Sequence, residues 1–365
     1  MTKHLMLSVS ALAIAASTTF AYAEPSQELI DAAKKEGQLT TIALPHYWCG
    51  YGDLLTKFTA KYGITINELN PEGGSADEVQ AVKANKDNKG PQAPDVIDVG
   101  LGFGPSSKAD GIIQPYKVST WDSIPAEAKD ADGYWYGDYY GVLAFLVNDD
   151  VVSNAPTTWA DLVKDGAPQF ALGGDPRKDN VGILGVYAAG LAAAGGDASK
   201  AAQAGLDYFK QMNTKGTFVP VNARAKDVAA GTAGVIASWD YNTLAWKDGF
   251  NGNPKAQVIV PSDGVVAGVY VQAISAYAPH PNAAKLWMEF LYSDEGQIGF
   301  LSGYCHPIRF NDLVARKVVP ADLLAKLPDP ALYAKAVFPT LDQQAAFKKV
   351  ISEGWDTTVG ADVVK

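Results

Sequence analysis

An α/β fold is expected from this sequence, with helices covering a parallel sheet. Three observations predict it. Short apolar runs of strand length alternate with longer stretches of helical period from about residue 28 onward. After the first helical stretch, the next five segments run strand, helix, strand, helix, strand, the βαβαβ order of parallel strands joined by helices. The composition is globular, 47% apolar, and 35 Gly and 21 Pro supply the turns such an alternation needs.

The elements follow in order. Glu28 to Lys35 has helical period, and Gln38-Leu-Thr-Thr-Ile-Ala-Leu44 reads as a buried strand. Tyr51 to Tyr62 is a helix with Leu54, Leu55 and Phe58 as its apolar stripe. Ile64 to Leu69 is a second strand, Ser75 to Ala84 a helix, and Asp95-Val-Ile-Asp-Val99 a third strand. Ligands of open α/β sheets bind beyond the carboxyl ends of the strands. That rule places Pro45 to Gly52, Asn70 to Ser75 and Gly100 to Ser107 at a binding edge. A tyrosine-rich segment, Tyr134-Trp-Tyr-Gly-Asp-Tyr-Tyr140, leads into an extended run over Gly141 to Val147. A second series holds a strand near Phe170 to Gly173, helices at Val181 to Ala194 and Ala201 to Met212, and a strand at Ala233 to Ser238. Val265 to Ser275 is extended. Pro281 to Tyr292 is an amphipathic helix that buries Ala284, Leu286, Trp287, Phe290 and Leu291, and the last quarter is mostly helical.

The first residues read as an export signal. Lys3 and His4 precede a mostly apolar run, Leu5 to Phe20, which ends in Ala21-Tyr22-Ala23, a small-x-small cleavage pattern. Cleavage is expected after Ala23. The run falls short of the roughly 20 apolar residues of a membrane span and contains Ser8, Ser17, Thr18 and Thr19. The next residue is Glu24 and not Cys, so no lipid anchor is expected. The net charge is −10, and no basic cluster interrupts it, which argues against nucleic-acid and anionic-membrane partners. The two cysteines, Cys49 and Cys305, either pair or remain buried thiols, and their spacing does not choose between these.

Several motifs share an order with one family. Gly141 to Asp150 closes on Val-Asn-Asp-Asp, and Pro156-Thr-Thr-Trp-Ala-Asp-Leu162 follows. His280-Pro-Asn-Ala-Ala-Lys-Leu-Trp-Met-Glu-Phe-Leu-Tyr-Ser-Asp-Glu-Gly-Gln297 then precedes Gly303-Tyr-Cys-His-Pro-Ile-Arg309. This order resembles the periplasmic solute-binding proteins of ferric-iron, polyamine and related ABC importers. The resemblance implies the type II two-lobed periplasmic-binding-protein fold, with the ligand in the cleft between lobes that close by a hinge. Residues 1–23 would be the signal peptide. Residues 24–141 with about 271–310 would form the first lobe, 142–270 the second, and 311–365 helices packing on the lobes. The crossovers would fall near Tyr139 to Leu146 and Val260 to Tyr270. The implied partners are a small-molecule solute and an inner-membrane ABC permease, for a monomer in the periplasm without cofactor or metal.

Ferric-binding members carry paired tyrosines where this chain has Ala237-Ser-Trp-Asp-Tyr-Asn242. Trp239-Asp240 is a poor donor set for hard Fe(III) and a good one for an ammonium, which gains about 0.5–2 kcal/mol on an indole face. A carboxylate adds a charge-assisted hydrogen bond. Alternatively, Trp239 packs in the core and Asp240 caps a helix. Tyr47 and Trp48, in His46-Tyr-Trp-Cys-Gly-Tyr51, are expected as cleft walls, as is Tyr270 at the second crossover. Phe103, in the Gly-rich turn Gly100-Leu-Gly-Phe-Gly104, either packs on the ligand or merely closes the turn. Asp175-Pro-Arg-Lys-Asp-Asn-Val-Gly182 precedes a helix whose first amides could hold an anion, or Asp179 or Asn180 is simply its cap. Arg224 either grips a carboxylate or phosphate or points to solvent. Arg224 with Asp240 favours a zwitterion, an ω-amino acid such as γ-aminobutyrate. Asp240 alone favours a polyamine, and Arg224 alone an anion such as a phosphonate or sugar phosphate. Iron remains a further alternative. No catalytic or metal-ligand motif is found, apart from the close spacing of His46 and Cys49, and an enzyme on this fold is not expected.

Overall fold

The structure, a computed structural model, describes residues 24–325, 330–333 and 335–364; the expected export signal, Lys3 to Ala23, lies outside them. The chain opens with α1 (Gln27–Glu36), capped by the Ser26 hydroxyl and stopped by Gly37 in the left-handed region. Then come β1 (Gln38–Ile42), α2 (Tyr51–Tyr62), β2 (Thr65–Leu69), α3 (Ser75–Ala84), β3 (Val96–Gly100), α4 (Gly104–Ala109) and β4 (Ile113–Gln114). The middle holds β5 (Tyr136–Asn148), β6 (Phe170–Leu172), α5 (Asn180–Ala193), α6 (Ala201–Lys215), β7 (Phe218–Asn222), α7 (Ala225–Ala229), β8 (Val235–Trp239), α8 (Asp240–Gly249) and β9 (Ala256–Ile259). The remainder is β10 (Ala267–Ser275), α9 (Pro281–Leu291), α10 (Asp294–Ser302), β11 (His306–Pro307), α11 (Phe310–Ala315), α12 (Ala321–Leu324), α13 (Pro330–Tyr333) and α14 (Leu341–Thr358).

The opening sheet is mixed where the sequence predicts a parallel one. β1 and β2 pair in parallel. The ladder then breaks, because the Thr40 amide donates to the Asp95 carboxylate (2.7 Å) and only the Asp95 amide returns to a carbonyl, that of Thr40 (2.8 Å). β3 takes its main partner on the other side, pairing antiparallel with β10. From there one hydrogen-bonded path runs β3-β10-β5-β8-β6-β7.

β5 divides the molecule. Its residues Tyr136 to Val142 pair with β10, whereas Leu143 to Val147 pair with β8 and Phe145 to Asn148 with β9. One strand thus serves two halves, with a return crossing between β9 and β10. The first half buries Tyr51, Phe58, Trp287 and Phe290 against one another. The second buries Phe145, Trp159, Phe170 and Phe209. The apolar positions expected in α2 and α9 are all buried. α14 packs on the second half, with Phe347 stacked on Tyr187 (4.3 Å) and Trp355 against Phe209. Among the described residues no helix is long and apolar enough to cross a membrane.

Cys49 and Cys305 form a disulfide, Cα to Cα 5.3 Å, between the loop after β1 and the segment before β11. This bond also removes the Cys49 thiol from any nucleophilic pairing with His46. It closes a loop of 256 residues, so chain entropy predicts a stabilisation toward the upper part of the usual range of about 2–5 kcal/mol. Melting in the presence of a thiol reductant is therefore expected to lower the midpoint by several degrees. An unchanged midpoint with both thiols shown to be free would refute that contribution.

Candidate functional site

The two halves meet across a cleft that is closed in this structure. From the first half, the loop after β1 brings Pro45, Tyr47 and Trp48, and the turn before α3 brings Glu72, Gly73 and Gly74. Beneath them stand Glu78 of α3, Asp98 of β3 and Tyr270 of β10. The second half supplies Gly173, Asp179, Asn180, Val181 and Arg224. The inner cavity measures about 40 Å³, the room of roughly three ordered waters. An outer vestibule of about 520 Å³ adjoins it and shares Tyr47, Glu72 and Arg224 with it. The loop over Gly100 to Ser107 flanks the cavity without lining it.

Several contacts among the described residues hold the halves together. Glu72 Oε2 accepts from Arg224 Nε (3.2 Å) and from the Tyr47 hydroxyl (2.9 Å). Arg224 is fixed from its own side by the carbonyls of Gly173 and Ala223 and by Asn222 Oδ1. Burial pushes the Tyr47 phenol up to about 12, with Arg224 pulling it down and Glu72 raising it further, so it serves as a neutral donor. The Ala76 amide, in the first turn of α3, donates to the Lys178 carbonyl just before α5 (3.3 Å). Finally, α5 starts against two glycines. A Cβ on Gly74 would lie 1.6 Å from Asp179 Oδ1, and one on Gly100 would lie 2.1 Å from Asn180 Cγ. The Gly-rich turn after β3 therefore has a packing role, the close approach of α5.

The floor is a buried acid–phenol network. Asp98 Oδ2 accepts from the hydroxyls of Tyr51 (2.9 Å) and Tyr139 (2.7 Å). Tyr139 in turn accepts from Trp48 Nε1 (2.8 Å). Tyr51 also reaches Asp138 (3.1 Å) and accepts from Gln272 Nε2 (2.8 Å). Burial first, and then the neighbouring Asp98 charge, drives the carboxyls of Asp138 and Glu78 well above their ordinary range. Three buried polar atoms of the lining residues have no protein partner among the described residues: Asp98 Oδ1, Asp179 Oδ1 and Asn180 Nδ2. A buried polar atom without a partner costs about 1–3 kcal/mol. Two acceptors and one donor on a single cavity make a polar recognition surface.

The sequence-predicted residues divide between cavity and support. Tyr47, Trp48, Arg224 and Tyr270 line the cavity. Phe103, Trp239 and Asp240 do not. Phe103 lies under Lys348, whose Nζ stands 3.9 Å from its ring centroid. Trp239 is fully buried and donates its indole N–H to the Tyr270 hydroxyl (3.3 Å), backing that wall from behind. Asp240 opens α8, where its Oδ1 accepts the amides of Val142 and Tyr241 (3.0 Å each) and its Oδ2 meets His306 Nε2 (2.9 Å). Its carboxylate is thus committed to the backbone where β5 passes between halves. Asp179, weighed as a cap, is the N-cap residue of α5 and lines the cavity as well. Glu72, Glu78 and Asp98 were not singled out. For Asp98 the signal was present: an acidic residue among valines and isoleucine in a buried strand needs a polar reason to be there.

Residues 92–328, more than half of the chain, match the family model described as bacterial extracellular solute-binding protein. The probable ABC transporter periplasmic-binding protein y4fP of Sinorhizobium fredii is 26% identical over 239 residues, 62% of each chain. The aligned region thus spans less than two thirds of that relative. Among solved structures, AgtB of A. tumefaciens R10 in complex with agropinic acid superposes with a TM-score of 0.69 at 16% identity, covering 89% of this chain and 99% of that one. The Atu4243-GABA receptor gives 0.65 at 16% identity, covering 87% and 96%. Identities this low establish a shared fold. Structures of the same fold hold solutes as different as fructose-6-phosphate and iron.

Two outcomes are expected from this geometry. Gly100→Ala should keep its secondary structure but lose the closed form, seen as a larger radius of gyration in solution scattering with saturating solute. An unchanged radius would show that α5 yields to the added methyl. Asp240→Ala should lower stability by about 1–3 kcal/mol in a denaturant titration, while solute affinity below the transition stays within about threefold. A loss of affinity at unchanged stability would return Asp240 to the ligand.

Proposed function

The chain belongs to the bacterial extracellular solute-binding protein family, and on that premise we propose that it is the periplasmic substrate-binding component of an ABC importer for a small amine or zwitterion, an ω-amino acid such as γ-aminobutyrate or a polyamine. The observation that carries this reading is the charge of the cavity. Four carboxyl groups, Glu72, Glu78, Asp98 and Asp179, surround one guanidinium, Arg224. Two of those carboxyls present unpartnered acceptor oxygens, which call for donors on the solute. An ammonium supplies donors and positive charge together. The aromatic walls Tyr47, Trp48 and Tyr270 add attraction for a cation of about 0.5–2 kcal/mol each where desolvated. Arg224 and the starts of α3 and α5 suit the carboxylate of a zwitterion.

We place the lobe boundary between Gly141 and Val142, supported by the change of β5 partners at Leu143, and the return crossing within residues 260–266, ahead of β10. On this division Glu72 and Asp98 stand in one lobe and Asp179 and Arg224 in the other, so a solute touching both stabilises closure. The solute would be delivered to a membrane permease by the monomer. A second reading, an anion such as a phosphonate or sugar phosphate, is favoured by Arg224 and the two helix starts alone. Ferric iron is disfavoured, because Trp239 and Asp240 occupy the place of a tyrosine pair and face away from the cavity.

A thermal-shift panel of putrescine, spermidine, γ-aminobutyrate, phosphonates, sugar phosphates and ferric citrate tests the reading. A solute at one hundred times its Kd stabilises by about 2.7 kcal/mol, so the midpoint should climb with amine or ω-amino acid concentration. A climb with ferric ion alone, or with phosphorylated compounds alone, overturns it.

A further inference from the structure

We propose that Asp98, at the floor of the cavity, is the carboxylate that binds the ammonium group of the solute. The assignment rests on the amine reading of the site and gives that reading its anchoring residue. Its basis is how the two oxygens of Asp98 are used. Oδ2 is saturated by the hydroxyls of Tyr51 and Tyr139, and Oδ1 has no protein partner among the described residues. The carboxylate is therefore clamped from behind with one oxygen left for the cavity. Asp98 is 4% exposed, and no ion pair to it exists among the described residues. A buried carboxylate is stable as an anion only with a counter-charge. Asp179, the other acid with an unpartnered oxygen, already feels Arg224 and Lys178. Asp98 has no such neighbour.

The same network sets the wall. Trp48 donates its indole N–H to the Tyr139 hydroxyl that donates to Asp98, and its ring meets Tyr270 edge-on at 5.6 Å. A cation at Asp98 Oδ1 thus has an aromatic boundary tied by hydrogen bonds to the carboxylate it touches. Arg224 stands on the opposite lobe, where it suits the far end of a zwitterion.

The groups facing Asp98 decide its protonation. Tyr51 comes from α2, Glu78 from α3, Asp138 and Tyr139 from β5, and Gln272 from β10, with Asp179 and Arg224 across the cavity. Burial pushes Asp98 up to about 7, with the Tyr139 and Tyr51 phenols pulling it back down. Burial, and then the Asp98 charge, raises Glu78 and Asp138 well above the ordinary carboxyl range. A cation arriving at Asp98 favours its ionised form. The solute binds the carboxylate form, so below pH about 7 binding must expel a proton, and above it no proton is released.

The test is the affinity of the full mature chain for putrescine and for γ-aminobutyrate from pH 5.5 to 8.5, measured by calorimetry. Wild-type affinity should be flat above about pH 7 and fall up to tenfold per unit below it, with proton uptake by the buffer at pH 6. Asp98→Asn should weaken both probes at least a hundredfold at pH 8, with an unchanged circular dichroism spectrum. A flat wild-type profile without proton release overturns the assignment, as does wild-type affinity in Asp98→Asn. The wild-type profile decides alone if the variant does not fold. Should neither probe bind the wild type while a phosphonate does, the amine reading fails, and the Asp98 assignment falls with it.

Discussion

The structure depends on β5. Thirteen residues of continuous strand, Tyr136–Asn148, provide ladder partners for both halves, and the change occurs between Val142 and Leu143. A strand shared in this way can bend but cannot shift register without exchanging every side chain between faces. The halves can therefore rotate about it but not slide. Asp240 pins the crossing by accepting the Val142 amide, and His306, on the short strand beside Tyr140, holds the other oxygen of the same carboxylate. The disulfide from Cys49 ends one residue before His306, so the loop that carries Tyr47 and Trp48 is covalently joined to this crossing.

That arrangement explains why the Asp240 carboxylate turns away from the cavity, the capping alternative that its position before a helix also allowed. Its position just beyond the end of β8 is where ligand contacts occur in open α/β sheets. Position does not fix direction. Asp240 is the first residue of α8, and the nearby amides of Tyr241 and Val142 are acceptor-poor groups that a carboxylate satisfies at close range. Local demand took the side chain inward. Trp239 followed the same logic, since a fully buried indole needs an acceptor for its N–H and finds it in Tyr270.

Much of the fold was legible and some of it was not, for identifiable reasons. The sequence limits of α2 and α3 coincide with the structure because glycines bound them: Gly50 and Gly63 for α2, Gly74 before α3. β7 escaped notice because Pro220 stands at its centre. It is the terminal strand of the sheet path, where a missing N–H is tolerated. The break between β1 and β3 depends on one side chain, Asp95, replacing a ladder carbonyl, which no periodicity records. In the site, the aromatic walls and Arg224 were legible as residue types at predicted edges. Asp98 left a signal, an acid within an apolar strand, whereas Glu72 left none, because its importance arises from Arg224 opposite it, and opposition across a cleft is a property of the closed fold.

Closure itself carries the final argument. In the closed form the carboxyls of Glu72 and Asp98 on one side face Asp179 on the other, with one guanidinium among them. Burial raises the carboxyls of Asp98, Glu78 and Asp138, and the Asp98 charge raises the latter two further, so the lining is costly to ionise. Glu72 with Arg224 and Tyr47 offsets part of that cost. On the amine reading, what remains would be a preference of the closed form for a cation, which an open form with the acids separated and solvated would have less of. A ligand can shift a conformational equilibrium only through such a difference in affinity. On the proposed amine reading, the acidic lining, costly to the protein alone, would make closure depend on a positively charged group.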